Sequence, residues 1–201
     1  MLENKINAQS SAELAREEER ISKQKAMALF EQDMLADKKA GTLDTLMFIH
    51  KTLFGDIYYF AGQVRTVNIA KGSFRFAPVM YLDQSLKTVE QMPQNTFDEI
   101  VAKYVEMNVC HPFREGNGRA TRIWLDHIFK TELKMVIDWS MIDKEDYLLA
   151  MERSPIRSTE ISVLLKNSLT DKTEDREVFM KGIDTSYYYE GYTAFDISEL
   201  R

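Results

Sequence analysis

Cysteine is nearly absent from this 201-residue chain, which has only Cys110. A single thiol excludes an internal disulfide and fits a reducing compartment. Prolines number four and glycines eight, which argues against long coil linkers. Cationic side chains are outnumbered, 26 Lys and Arg against 32 acids, for a formal net charge of −6. That balance speaks against non-specific nucleic-acid binding, which draws on an excess of Lys and Arg, while leaving room for a small basic pocket. No apolar run approaches membrane-spanning length. The early stretch "SSAELAREEERISKQKAM" is densely charged where a signal peptide would carry an apolar core. The expectation is a cytoplasmic protein of one domain, 1–201, with neither nucleic acid nor membrane as partner.

What is present is mostly helical patterning. Ser10 with Glu13 reads as a capping box that opens a charged helix running to about Ala36. Its charges read as a solvated face, and its length would also support a homo-oligomer. "TLDTLMFIHKTLFG" places Leu43, Leu46, Met47, Ile49, Leu53 and Phe54 at helical spacing, with Gly55 as a stop. "VRTVNIA" and "FRFA" are rich in β-formers, and Lys71-Gly72-Ser73 between them reads as a hairpin turn. A lone hairpin is marginal by itself and must lean on helices; its edge can pair with an extended peptide. Helices are then expected over Asp83–Met92, from Thr96 into the region of Cys110, and from about Gly118 to Lys130. Ser140 and Ser154 read as starts of two more, and a last pair of short helices surrounds Gly182. The fold class is mainly α, a helical bundle with one β-hairpin.

The chemistry concentrates in "HPFREGNGRATR", His111 to Arg122. Pro112 disfavours the α conformation for His111, so a helix should end near Cys110 and hold the imidazole at a loop edge. Gly116-Asn117-Gly118 can turn successive N–H groups towards a concavity, and the following helix adds its positive end, which together suit a phosphate. Arg119 and Arg122 are three apart in that helix's first turn and can both reach polyphosphate oxygens. Glu115 would repel phosphate directly, but suits Mg²⁺ held by one carboxylate and phosphate oxygens. His111 can accept a proton from a substrate hydroxyl. Cys110, beside it, reads as a buried small apolar residue rather than a nucleophile, because sequence neighbours usually point apart. His50 and His127 fall in predicted helices and read as structural; Phe113 reads as the loop's anchor.

These residues resemble the Fic-family signature H-x-F-x-(D/E)-G-N-G-R-x-x-R at every specified position. The upstream "LFGDIYYFAGQVRTVNIAKGSFRF" is similar to the family's helix and flap, and the likeness covers roughly Leu43 to Leu165. The resemblance implies a Fic fold with core about 43–165 that transfers AMP from ATP to a hydroxyl of a target protein. It implies His111 as general base, Glu115 as ligand of Mg²⁺ or another divalent cation, and Gly116, Asn117 and Gly118 as anion hole. Arg119 and Arg122 would hold the outer phosphates. The flap, about Arg65 to Pro78, would dock the protein substrate by strand addition.

The family also carries a motif (S/T)-x-x-x-E-(G/N) that supplies an inhibitory glutamate, and "SYYYEG", Ser186 to Gly191, matches it. The resemblance is to the small class III members with a C-terminal inhibitory helix, here about 184–191. Ser186 and Glu190 share a helical face, so Glu190 could pair with Arg122 and deny it to the γ-phosphate; Glu190 could also assist AMP removal. The competing expectation is that three tyrosines simply pack the last helix. Two further functions stand beside AMP transfer: transfer of another phosphate-containing group, and nucleotide-dependent regulation without turnover. The tail "YTAFDISELR" suggests no role.

Overall fold

The computed structural model describes residues 1–72 and 74–200, and its described residues form eight α-helices and two short β-ribbons. In order these are α1 (Ser11–Glu31), α2 (Leu43–Phe54), β1 (Ala70–Lys71), β2 (Phe74–Arg75), α3 (Val79–Gln91), α4 (Phe97–Cys110), α5 (Asn117–Leu133), β3 (Val136–Ile137), α6 (Lys144–Arg153), α7 (Thr159–Asn167), β4 (Leu169–Thr170) and α8 (Arg176–Tyr189). No described helix is long and apolar enough to cross a membrane.

α5 is the central helix, packed against α2, α4 and α8. The α2 pattern delivers Leu46, Ile49, Leu53 and Phe54 to the core, and α4 delivers Ile100, Val101, Tyr104 and Val105. From α5 come Ile123, Trp124 and Ile128, as the spacing predicts. The Thr96–Glu99 capping box that opens α4 is present in both directions. Ser10 caps α1 as expected, its side chain accepting from Glu13 N.

The flap is a real but very short ribbon, with Ala70 opposite Arg75 and Lys71 opposite Phe74. Ser73 of the expected turn lies outside the described residues. A second ribbon, absent from the sequence reading, pairs Val136 with Thr170 and Ile137 with Leu169. Two-residue strands joined across more than thirty positions carry no local pattern to read.

Several boundaries are corrected. α1 stops at Glu31 because Asp33 adopts a left-handed conformation with φ 47°. α3 begins at Val79, four residues early, because Pro78 is its N-cap and Asn68 of the flap accepts from Val79 N at 2.8 Å. α6 is capped by Asp143 rather than Ser140, its carboxylate accepting from Glu145 N and Asp146 N. Ser154 ends α6 instead of opening α7: its hydroxyl turns back to Met151 O. The expected pair of short helices is one, α8, which runs through Gly182 because that glycine lies against Trp139. A Cβ there would stand 3.3 Å from the indole.

The largest correction concerns α1. Glu18, Glu19, Ser22 and Lys23 are buried, so this helix does not present all its charges to solvent. Glu19 accepts from the amides of Ala194 and Phe195 at 2.9 and 3.2 Å, and from Lys23 at 3.0 Å. Lys23 donates to Phe195 O at 2.6 Å and pairs with Asp184 of α8 at 2.8 Å. The tail after Gly191 thus has a structural place: it is strapped to α1 by buried, mutually paired charges.

Candidate active site

α4 ends where the His-Pro pair says it must. Arg65 and Ala77 bracket the loop that follows: Arg65 N donates to Pro112 O at 2.8 Å and Ala77 N to Val109 O at 3.0 Å. His111 caps the helix in the left-handed region, φ 48° and ψ 65°. Its Nδ1 lies 3.2 Å from Asn108 O. A carbonyl only accepts, so Nδ1 carries the proton and Nε2 keeps its lone pair. The ring stacks on Phe76 of the flap, centroids 3.6 Å apart. Burial pulls its pKa down to about 4, so the imidazole is neutral and able to accept at physiological pH.

The loop from Pro112 to Gly116 is held from inside. Phe113 is fully buried and stacks on His50 at 3.8 Å. Gly62 N donates to His50 Nδ1 at 2.9 Å, so Nε2 carries the proton and donates to Glu115 O at 2.8 Å. His50 is therefore structural, but it has partners. Its pKa is likewise lowered to about 4 by burial. His127 similarly donates to Lys38 O at 3.0 Å.

Asn117 does not present its side chain to the cavity. Its amide ties to Phe113 in both directions, N–H to Oδ1 at 2.8 Å and Nδ2 to O at 2.7 Å. What faces the concavity is backbone. Gly116, at φ 77°, is an N-cap without a side-chain cap, and the first intrahelical bond is Ala120 N to Gly116 O. The amides of Asn117, Gly118 and Arg119 precede that bond, which leaves them available to an anion. A Cβ on Gly116 would run into Phe54 at 2.5 Å, so glycine is required there sterically as well as conformationally.

Arg119 and Arg122 are both buried and diverge. Arg119 donates to Glu18 at 2.5 Å and to Glu115 at 3.1 Å, with the rings of Phe54, Tyr187 and Tyr192 around it at 4.6–5.3 Å. Its Nε has no hydrogen-bond partner among the described residues. Glu18 also accepts from Tyr192 OH at 2.9 Å and from Tyr58 OH. Arg119 is thus a tie between α5, α1 and the tail. Replacing Glu18 by Ala is expected to cost about 3–5 kcal/mol, because it strands a buried cation. Urea unfolding checks this; a loss below about 1 kcal/mol would mean that the network relaxes around the change.

Arg122 faces the C-terminal end of α8. Its Nε donates to Ser186 Oγ at 2.7 Å and Nη2 to Ser186 O at 2.9 Å. Nη2 also donates to Glu190 Oε1 at 3.0 Å, and Nη1 to Tyr147 OH at 3.2 Å. Ser186 and Glu190 thus meet one guanidinium, as their spacing predicts, while Gly191 follows at φ 90° and turns the chain into the tail. Burial raises the Glu190 carboxyl, but the charges of Arg122, Lys71 and Arg119 outweigh it and hold the pKa at about 2. The folded value lies below the ordinary 4.5, so this pairing stabilises the fold above about pH 4.5 and is lost as pH falls towards 2. Glu190 also lies over the amide cradle: a methyl at Gly118 would stand 2.4 Å from its Oε1.

Glu115 is the exposed member, its side chain 44% accessible. Oε1 accepts from Gly116 N at 2.9 Å and from Arg119, while Oε2 has no hydrogen-bond partner among the described residues. No group of three or more His, Cys, Asp or Glu forms a metal cage among them. One carboxylate with a free oxygen fits a cation that takes its remaining ligands from phosphate and water. Cys110 is buried and its thiol is pushed up to about 12 by burial, so it is no nucleophile.

A cavity of about 820 Å³ gathers His111, Glu115, Gly118, Arg122 and Glu190, and is lined also by Lys71 and Phe76 of the flap and by Tyr147. Sequence reasoning missed Tyr147, Glu18 and Arg65. Tyr147 meets Arg122 across 25 residues, Arg65 meets the His111 carbonyl across 46 and Glu18 meets Arg119 across 101, beyond any local pattern.

Residues 40–129 match the model of the Fic/DOC family. These residues belong to that family. The Fic segment holds α2 to most of α5, hence the flap, His111 and the cradle. The protein adenylyltransferase VbhT of Bartonella schoenbuchensis is 32% identical over 148 residues, 68% of this chain and 31% of VbhT. The probable protein adenylyltransferase Fic of Salmonella typhimurium is 35% identical over 97 residues, 43% of this chain and 48% of that protein. The chain therefore spans less than half the length of either relative. The crystal structure of Bartonella tribocorum BepC with bound AMPPNP superposes with a TM-score of 0.68 at 18% identity, covering 85% of this chain and 92% of that one. The Fic fold thus extends beyond the matched segment.

Proposed function

We propose that this chain is a protein adenylyltransferase that moves AMP from ATP to a side-chain hydroxyl of a target protein, with Glu190 holding the site closed. The observation that carries the reading is the neutral His111, its Nε2 unprotonated at the rim of a cavity floored by three free amides. The names of the relatives and the AMPPNP held by BepC support the nucleotide and the group transferred.

In this mechanism the target oxygen attacks the α-phosphorus and gives its proton to His111 Nε2. The bond to the bridging oxygen breaks and pyrophosphate leaves. The amides of Asn117, Gly118 and Arg119 stabilise charge that develops on the phosphoryl oxygens. Arg122 takes an outer phosphate once Glu190 has left it; Arg119, tied to Glu18, adds positive potential from behind. Glu115 would hold Mg²⁺ or another divalent cation, which when bound shields the phosphates. A target segment docked along the flap would lie beside Phe76 and Lys71, on the His111 side of the cavity.

Glu190 acts twice in this reading. It engages Arg122 and places a negative charge over the cradle that phosphate needs. Glu115 and Glu190 line the same cavity, which also supports AMP removal, with Glu190 directing a water to the phosphorus.

Glu115→Ala is expected to abolish metal-dependent turnover while changing nucleotide affinity by no more than a few-fold, because charge neutralisation matters most in the transition state. Titrating Mg²⁺ against the rate of AMP incorporation checks it. A mutant with the parent's rate and metal dependence removes Glu115 as the ligand. Mass spectrometry of modified protein tests the whole reading: an added AMP supports it, an added phosphate or no adduct with Glu190 removed overturns it.

A further inference from the structure

Arg65 is 5% exposed and sits at the base of the flap. Its guanidinium donates to four carbonyls. Nε donates to His111 O at 2.8 Å, and Nη2 to Cys110 O at 3.1 Å. Nη1 donates to Val67 O at 2.8 Å on one limb of the flap, and Nη2 to Ala77 O at 2.6 Å on the other. Two of these acceptors are the orphan carbonyls at the end of α4, where a cation is also favoured by the helix dipole. The other two are the backbone at the two feet of the hairpin. The residue following Phe76 is therefore bound to the same guanidinium as the peptide of His111, the residue whose ring Phe76 stacks upon.

We propose that Arg65 is a positioning residue for the transfer reaction: it locks the backbone of His111 and both feet of the flap into one unit. The base and the target-docking hairpin then keep a fixed spacing. This rests on the transferase reading above. His111 needs such a device. Its backbone is left-handed, a conformation costly for a residue with a Cβ and kept only where the surroundings over-determine it. Its ring has one backbone partner, Asn108 O, and one stacking partner, Phe76, and the second belongs to the flap. A two-residue ribbon cannot hold Phe76 still by itself. The backbone bonds Arg65 N to Pro112 O and Ala77 N to Val109 O tie the flap to this loop, and the Arg65 guanidinium adds the bonds that reach His111 itself. Lysine could not replace it, because three donors on one point charge cannot span four carbonyls that a planar fork reaches.

The experiment uses the full chain with ¹⁵N-labelled histidine, of which there are three, and His111→Gln to assign the resonances of His111. The imidazole ¹⁵N shifts report its tautomer. The parent should show the Nδ1–H form that Asn108 O selects. Arg65→Lys should give a mixture of both tautomers, bind ATP within about twofold of the parent, and lose about 10–100-fold in AMP incorporation, the scale expected for a misplaced reacting group. Phe76→Leu, which leaves all four carbonyls in place, is the second arm if Arg65→Lys fails to fold, and should also mix the tautomers. A pure Nδ1–H signature in every folded variant overturns the proposal and makes Arg65 a structural tie. If no form labels any protein, Glu190→Gly included, the transferase reading fails, while the ¹⁵N signature still decides the positioning role.

Discussion

His111→Ala is expected to lower AMP incorporation by about 10²–10⁴-fold, the usual contribution of a general base, and to leave ATP affinity within a few-fold. The expectation follows from position. The ring stands at the cavity rim with Nδ1 committed to Asn108 O, so it offers an acceptor for the target's proton and no donor for phosphate. The assay belongs in a Glu190→Gly background, where the rate is expected to be highest. Comparable labelling with and without the imidazole would remove His111 from the reaction. The pH profile supplies an independent check. Burial holds the ring neutral, with a pKa of about 4, so the rate should be flat near neutrality and fall as acid protonates the base. Bound phosphate would raise that pKa by charge attraction, so the acid limb should move upwards as ATP saturates the site.

Glu190→Gly is expected to raise AMP incorporation, and on the proposed reading the size of the increase measures how strongly the closed form is favoured. Each roughly 1.4 kcal/mol of preference for the closed form suppresses the open form tenfold. Two ion pairs hold the carboxylate: Arg122 at 3.0 Å inside the fold and Lys71 of the flap at 3.5 Å. The first carries the effect, because Arg122 is buried whereas Lys71 is 67% exposed and screened. An increase of at least about tenfold is therefore expected. The substitution removes the ion pair with buried Arg122 along with the C-cap side chain of α8, but Arg122 keeps Ser186 and Tyr147, and α8 keeps its packing through Tyr187 and Tyr189, so the mutant should stay folded with a lowered melting temperature. Unchanged labelling by a folded mutant would reduce "SYYYEG" to packing. After labelling, removing ATP and adding the parent chain with different divalent metals tests AMP removal; release by the parent but not by Glu190→Gly would support it.

The amino-acid sequence by itself determined the chemistry of the cradle. A histidine before proline ends α4 and enters a loop; two glycines around Asn117 open α5 with free amides; Ser186 and Glu190 share one face of α8. Each of these is a consequence of backbone sterics or helical period acting within a few residues, so it is legible locally. The tertiary structure decided which charges serve the site and which serve the fold. Arg119 and Arg122, three apart and alike in sequence, divide: one meets Glu18 of α1, the other Glu190 at the end of α8. α1 reads as solvated because a helix rich in Glu and Lys usually is, yet Glu18, Glu19 and Lys23 turn inwards to partners up to 176 residues away. Arg65 and Asn117 bind backbone carbonyls and an amide, groups common to nearly all residues and marked by no sequence pattern. Burying a charge is tolerable only where its counter-charge is brought to it, and that meeting is set by how the helices pack.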